Sequence, residues 1–163
     1  MKFIIYCDGS ARNNGYENAV GAWAYVVLND KEEILAQNYK AVKGATNQQM
    51  ELMAAAEALE YLVYNELVVP FDKVEVITDS AYLHNCVKQK WYVNWQRNGW
   101  KNAKKEPVAN KELWERLIQF FEMPEINFTK VKGHAGRRDK HEYYNDMVDK
   151  MAQEASKELS TRS

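Results

Sequence analysis

The sequence predicts an α/β fold in which a five-stranded mixed sheet is flanked by helices. Three observations predict it. Three short strand-like segments stand in a row before the first helical period. Strand-like and helical segments alternate after that, which is the pattern of helices laid on a sheet. A chain of 163 residues, 46% apolar and 28% charged, also has the size and composition of one globular core.

Residues 1–7 form an apolar, β-favouring run that ends at Asp8-Gly9-Ser10. Residues 11–18, rich in Asn and Gly, read as a loop. Residues 23–28 and 34–42 read as strands joined by a turn at Asn29-Asp30, so the first three strands form an antiparallel meander. The period then changes. Thr46 and Gln49 have the spacing of a capping box, and Leu52, Ala55, Ala56, Leu59, Leu62 and Val63 recur at helical spacing to about Glu66. Residues 74–78 form a buried-type strand ended by Asp79, and a second helix follows from Ser80. Asn110 caps a third helix, which runs through Phe121 and stops before Pro124. Residues 126–131 are the last strand, with Gly133-His134-Ala135-Gly136 as the loop behind it. A terminal helix spans residues 142 to about 158. The whole chain, 1–163, reads as one domain whose last residues, from about 156, fray.

Composition excludes several classes. Disorder does not suit this apolar content, and 7 Gly and 3 Pro without a period exclude a collagen-like chain. The formal net charge of −1 argues against coating nucleic acid or an anionic membrane by global charge. The longest apolar stretch, residues 19–28, is half the length of a membrane span, about 20 residues. Cys7 and Cys86 are too few for a disulfide framework. The N-terminal run is too short for a signal peptide. These features predict a soluble, cytoplasmic protein, and nothing in them implies an obligate protein partner or more than a monomer.

Acidic residues carry the chemistry. Asp8 and Asp79 each end an apolar strand, and they lie side by side if those strands are parallel neighbours. Glu51 stands in the second turn of the first helix, at the edge of its apolar face. Asp146 and Asp149 lie on the last helix. Singly, each has an ordinary reading as a turn residue, a cap or a solvated charge. Together they do not, because two carboxylates 4 Å apart repel by about 4 kcal/mol at an effective dielectric of 20. A crowd of them calls for a proton or a cation, and all-oxygen ligands select Mg²⁺ or Mn²⁺.

Five motifs in order then resemble one family. Asp8-Gly9-Ser10, Thr46-Asn47-x-x-Met50-Glu51, Thr78-Asp79-Ser80-x-Tyr82, Val131-Lys132-Gly133-His134 and Asn145-x-x-x-Asp149-x-Met151-Ala152 resemble those of ribonuclease H, type 1, from about residue 3 to residue 155. The resemblance implies a ribonuclease H-like fold and endonucleolytic hydrolysis of the RNA strand of RNA–DNA hybrids, leaving 5′-phosphate and 3′-hydroxyl ends. It implies that Asp8, Glu51, Asp79 and Asp149 hold two Mg²⁺ ions, with Mn²⁺ as a possible substitute, and that His134 assists proton transfer or product release. The segment from His134 to Asn145 is longer than in many relatives. A register offering Asp146 in place of Asp149 is conceivable, but Asp149 keeps the last motif in step throughout. His84 and His141 read as plain surface residues.

Residues 88–105 contain Lys88, Lys90, Arg97, Lys101, Lys104 and Lys105 and no acid. Trp91, Tyr92, Trp95 and Trp100 interleave with the cations, a pattern that suits a phosphate backbone and ring contacts to sugars or bases. The plain alternative puts Trp91 and Trp95 in the core. The segment also resembles the basic protrusion of type 1 ribonucleases H, which implies contact with the DNA strand. Asn14, Asn47 and Gln48 have the chemistry to read 2′-hydroxyls and base edges, and the resemblance favours that use over capping. Two rival readings remain at this level: a resolvase- or transposase-type nuclease, and a non-catalytic hybrid-binding module. The basic segment disfavours the first. The four filled carboxylate positions disfavour the second.

Overall fold

A computed structural model describes residues 1–12, 18–65, 67, 72–131 and 139–161. Strands β1 (Lys2–Arg12), β2 (Val20–Leu28) and β3 (Ile34–Lys43) form the antiparallel meander. Helix α1 (Asn47–Tyr64) precedes β4 (Lys73–Thr78). Helices α2 (Ala81–Gln89), α3 (Trp91–Asn98) and α4 (Lys111–Phe121) follow, then β5 (Ile126–Lys130) and α5 (Lys140–Thr161). The sheet has five strands in the order β3-β2-β1-β4-β5. β1 and β2 pair antiparallel, whereas β1, β4 and β5 are mutually parallel, so the sheet is mixed as expected.

Alternation along β1 sorts the two faces. Phe3, Ile5 and Cys7 point into a core shared with α1, α2 and α4. Ile4 and Tyr6 point the other way, into a smaller core closed by Val148, Ala152 and Ala155 of α5. Fully buried Leu52, Leu59 and Leu62 anchor α1, each contributing about 1.5–3 kcal/mol. The small side chains of Ala54, Ala55, Ala56 and Ala58 let the helix approach the sheet closely. Its start is the expected capping box: Thr46 Oγ1 accepts from Gln49 N–H, and Gln49 Oε1 accepts from Thr46 N–H.

Several boundaries differ from the expectation. Asp8 does not end its strand: β1 continues to Arg12 because its antiparallel partner β2 goes on, with Asp8 opposite Ala24. It is the parallel neighbour β4 that stops, at Thr78. Ala11 and Arg12, expected in a loop, are therefore strand. Part of the basic segment is a separate helix, α3, set off from α2 by Lys90 in the left-handed conformation at φ 54°. Asn110 stands at the start of α4 but does not cap it. At φ 64° its side chain donates to Tyr82 Oη instead. The tail expected to fray from about residue 156 is helical to Thr161, because Ala155 and Ser156 are buried against the sheet. Among the described residues, no helix is long and apolar enough to cross a membrane.

Candidate active site

The parallel register of β1 and β4 pairs Tyr6 with Ile77, so Asp8 and Asp79 each lie two residues beyond the last pair. By alternation both fall on the α5 face, where Asp8 is 6% exposed. Its carboxyl lies beside that of Asp149 of α5, with Asp79 close by. Burial, the charge of Asp79 and this contact push Asp8 up to about 9, although Gly9 N–H pulls in the other direction. Asp149 Oδ2 also accepts from Gln153 Nε2 at 3.0 Å, one turn further along α5. Of the two acids weighed on this helix, Asp149 is the one that meets Asp8.

Glu51 reaches the same end of the sheet from the opposite face, and Gly9 is the reason. A Cβ at Gly9 would overlap the backbone of Met50 and Glu51, so α1 crosses β1 with main chain against main chain. That close approach is what the glycine of Asp8-Gly9-Ser10 permits. Asn47 Oδ1 accepts the N–H of Ala11 and ties the first turn of α1 to β1. The Glu51 carboxylate then accepts from Ser80 Oγ at 2.6 Å, while Ser80 Oγ accepts from Leu83 N–H as the cap of α2. Burial raises the Glu51 pKa, the Ser80 bond opposes that, and the charge of Asp79 adds to it. Ser80 and Gln153 hold carboxylates in place and were not singled out from the sequence. The sequence shows Ser80 only as the start of α2; its reach to Glu51 is a tertiary contact that capping does not dictate.

Among the described residues, no three acidic, cysteine or histidine side chains are drawn close enough to close on one ion. The donor set nevertheless fits a hard divalent cation. It is all carboxylate oxygen, and it crowds a buried acid strongly enough to raise its pKa well above the ordinary carboxylate range. A bound cation would neutralise that crowding. His134 and Asn14 lie outside the described residues. Gln48 is exposed on the first turn of α1, as is Asn47.

In the basic segment the rings pack inward and the cations face outward. Trp91, Trp95 and Trp100 are half-buried and form a chain of rings: Trp91–Trp95 at 6.2 Å, Trp95–Trp100 at 5.8 Å and Trp95–Trp114 at 5.6 Å between centroids. The chain ends in the core at Trp114, which is fully buried. The cations lie on the outside, with Lys101, Lys104 and Lys105 exposed. Trp91, Trp95, Arg97 and Lys101 line one groove of this arm. A second groove, lined by Lys43, Gln49, Asn110 and Lys111, lies between α1 and α4. Lys111 stands 5.7 Å over the Trp100 ring and links the arm to this second groove.

Comparisons with known proteins agree with this geometry. The RNase H family model matches residues 1–157. A protein named Ribonuclease H from Clostridium botulinum (strain Hall) is 42% identical over 161 residues, covering 98% of each chain. The solution structure of the PFV RNase H domain is 26% identical with a TM-score of 0.76, covering 95% of this chain and 94% of that one. LC11-RNase H1, solved in complex with an RNA/DNA hybrid, is 24% identical with a TM-score of 0.69, covering 96% and 98%, and shares the fold.

Proposed function

This chain belongs to the ribonuclease H family, and from that premise we propose that it is an endoribonuclease hydrolysing the RNA strand of RNA–DNA hybrids to 5′-phosphate and 3′-hydroxyl ends. One observation carries the reading: Asp8 is 6% exposed and crowded by the carboxyl groups of Asp79 and Asp149. Such a cluster is costly unless it serves a cation or shares a proton. The family works with divalent metal ions. For this chain the proposal is two Mg²⁺, with Mn²⁺ able to substitute, held by Asp8, Glu51, Asp79 and Asp149. Bound there, they would supply charge stabilisation for a displacement at phosphorus.

The chain's own residues do the rest. Asp8 would hold the ions as a carboxylate. Ser80 orients Glu51, and Gln153 orients Asp149. His134 exchanges a proton with the leaving group or helps release product. Asn14, Asn47 and Gln48 contact the RNA strand across the minor groove, where 2′-hydroxyls report ribose. Lys101, Lys104 and Lys105 neutralise phosphates of the DNA strand, with Trp91, Trp95 and Trp100 as their stem and as ring surfaces. The proposed enzyme acts as a monomer in the cytoplasm, a reducing compartment that the buried free thiols Cys7 and Cys86 suit. The test is a labelled RNA–DNA hybrid beside single-stranded RNA, duplex RNA and duplex DNA, with and without Mg²⁺. Mg²⁺-dependent cleavage of the hybrid alone is expected. Binding without cleavage would favour a non-catalytic module, and cleavage of duplex DNA a resolvase-type nuclease.

A further inference from the structure

Tyr6 and Asp8 are two residues apart on β1, so both face α5. Each meets α5 at its own point. Asp8 meets Asp149. Tyr6, fully buried, has its Oη 2.7 Å from His141 Nδ1. The Tyr6 ring also stacks on Tyr144 at 5.0 Å between centroids. His141 and Tyr144 are three residues apart, so both lie on one face of the first turns of α5. Asp149 lies a little over two turns further along the same helix. His141, expected to be a plain surface residue, is thus part of the layer between β1 and α5.

Further along, the apolar residues that α5 packs into this layer are Met147, Val148, Met151, Ala152 and Ala155. Apolar burial is non-directional and does not by itself stop a helix sliding or rolling on a sheet. A hydrogen bond at 2.7 Å is directional and has a defined length. The start of the helix is held by other polar contacts as well. Asp139 Oδ1 accepts from Glu142 N–H, and Lys140 lies 3.4 Å from Glu32 on the β2–β3 turn. Those two anchors are exposed, whereas the Tyr6 contact is buried at its strand end and is made from the strand that carries Asp8.

We propose that Tyr6 and His141 are positioning residues: their hydrogen bond sets the register of α5 on β1, and so the approach of Asp149 to Asp8. The inference rests on the proposed metal-dependent reaction for its kinetic readout but has a readout of its own. Removing a partner that orients a ligand costs about 10–100-fold in metal affinity or activity. Tyr6→Phe keeps the buried ring and its stacking and removes only the hydroxyl. The expected result lies toward the lower end of that range: weaker Mn²⁺ binding to the hybrid-free protein by calorimetry, and a matching rise in the metal concentration that half-activates cleavage. The KM for hybrid should stay near wild type, because the basic arm is untouched. His141→Ala should reproduce the effect without disturbing the core, and the double variant should add nothing further. Wild-type Mn²⁺ affinity in both variants would overturn the proposal, and so would losses that only follow a fall in thermal stability. A wild-type protein that binds Mn²⁺ but leaves hybrid uncut would sink the proposed reaction, while calorimetry would still decide the positioning role.

Discussion

At the carboxylate end of the sheet, Asp8 is 6% exposed and touches Asp149, while Glu51 is tied to Ser80 at 2.6 Å. On the basic arm, Lys101, Lys104 and Lys105 are all exposed, and the rings beneath them do the packing. The first region draws side chains from β1, α1, the end of β4 and α5, four segments far apart in the chain. The second is one continuous stretch. Chemistry at a phosphorus atom depends on the relative placement of groups, where 1 Å can matter about a hundredfold. Affinity for a polyanion depends mostly on how many cations face it. One region is therefore intolerant of small backbone changes, and the other tolerates them.

The largest contrast is expected for the carboxylates themselves. Asp8→Asn or Asp79→Asn should lower Mg²⁺-dependent cleavage at saturating hybrid by orders of magnitude, because an amide is a poor ligand for a hard cation. Thermal stability without metal should hold or rise as repulsion is relieved. Asp149→Asn should fall with them and Asp146→Asn should keep most of its activity. Initial rates across the four variants check the set, and near-normal turnover by Asp79→Asn would break the assignment.

Gly9→Ala ranks next and carries no change of charge. The added methyl would overlap the Met50 and Glu51 backbone, so α1 must back away from β1 and take Glu51 with it. Overpacking of this kind costs on the order of 1–3 kcal/mol. The cleavage rate should drop by more than the stability loss explains. Urea denaturation beside single-turnover rates measures both. Full activity in a stable Gly9→Ala protein would show that the close approach of α1 is dispensable.

A smaller effect concerns pH. Asp8 is raised from the ordinary 3.8 to about 9 by burial, by Asp79 and by Asp149. The folded chain therefore holds that proton more tightly than the unfolded chain. Its stabilising contribution is fully present below about pH 4 and lost as pH rises through about 9. Denaturation midpoints in EDTA should show Asp8→Asn gaining on wild type across that window, and Mg²⁺ should restore wild type alone. A pH-independent difference would mean that Asp8 is not crowded in solution.

The smallest effect on chemistry is expected from the arm. Neutralising Lys101, Lys104 and Lys105 together should raise KM and flatten the dependence of log K on log salt. The slope should fall by roughly 0.7–0.9 for each phosphate that no longer meets a cation. Turnover at saturating hybrid should change little. If kcat collapses while KM and the salt slope stay put, the arm is part of the catalytic architecture and the comparison fails.

Local signals account for what could be read in advance. The capping box at Thr46 and Gln49, the alanine-rich face of α1, the strand before Asp79 and the charge of residues 88–105 all depend on neighbours within a few positions, and the folded chain shows them as expected. The β-meander followed by alternating units implied a mixed sheet, and motif order carried the family. The extent of β1 beyond Asp8 was hidden because a long antiparallel partner, β2, keeps it extended. The same limit applied to Asn110, whose composition says cap while its left-handed backbone turns the side chain to Tyr82.

Residue types and their spacing were thus enough to put forward the acids and the cations, and the resemblance of the motifs supplied the class of reaction. They could not say that Gly9 is where α1 touches β1, that Ser80 reaches Glu51, or that Tyr6 reaches His141. Each of those contacts joins segments from 29 to 135 residues apart in the chain or brings two backbones together. Such contacts follow from strand register and helix crossing. These are settled only when both faces of the sheet are packed at once, because a side chain's direction along a strand is periodic but its partner across the layer is not.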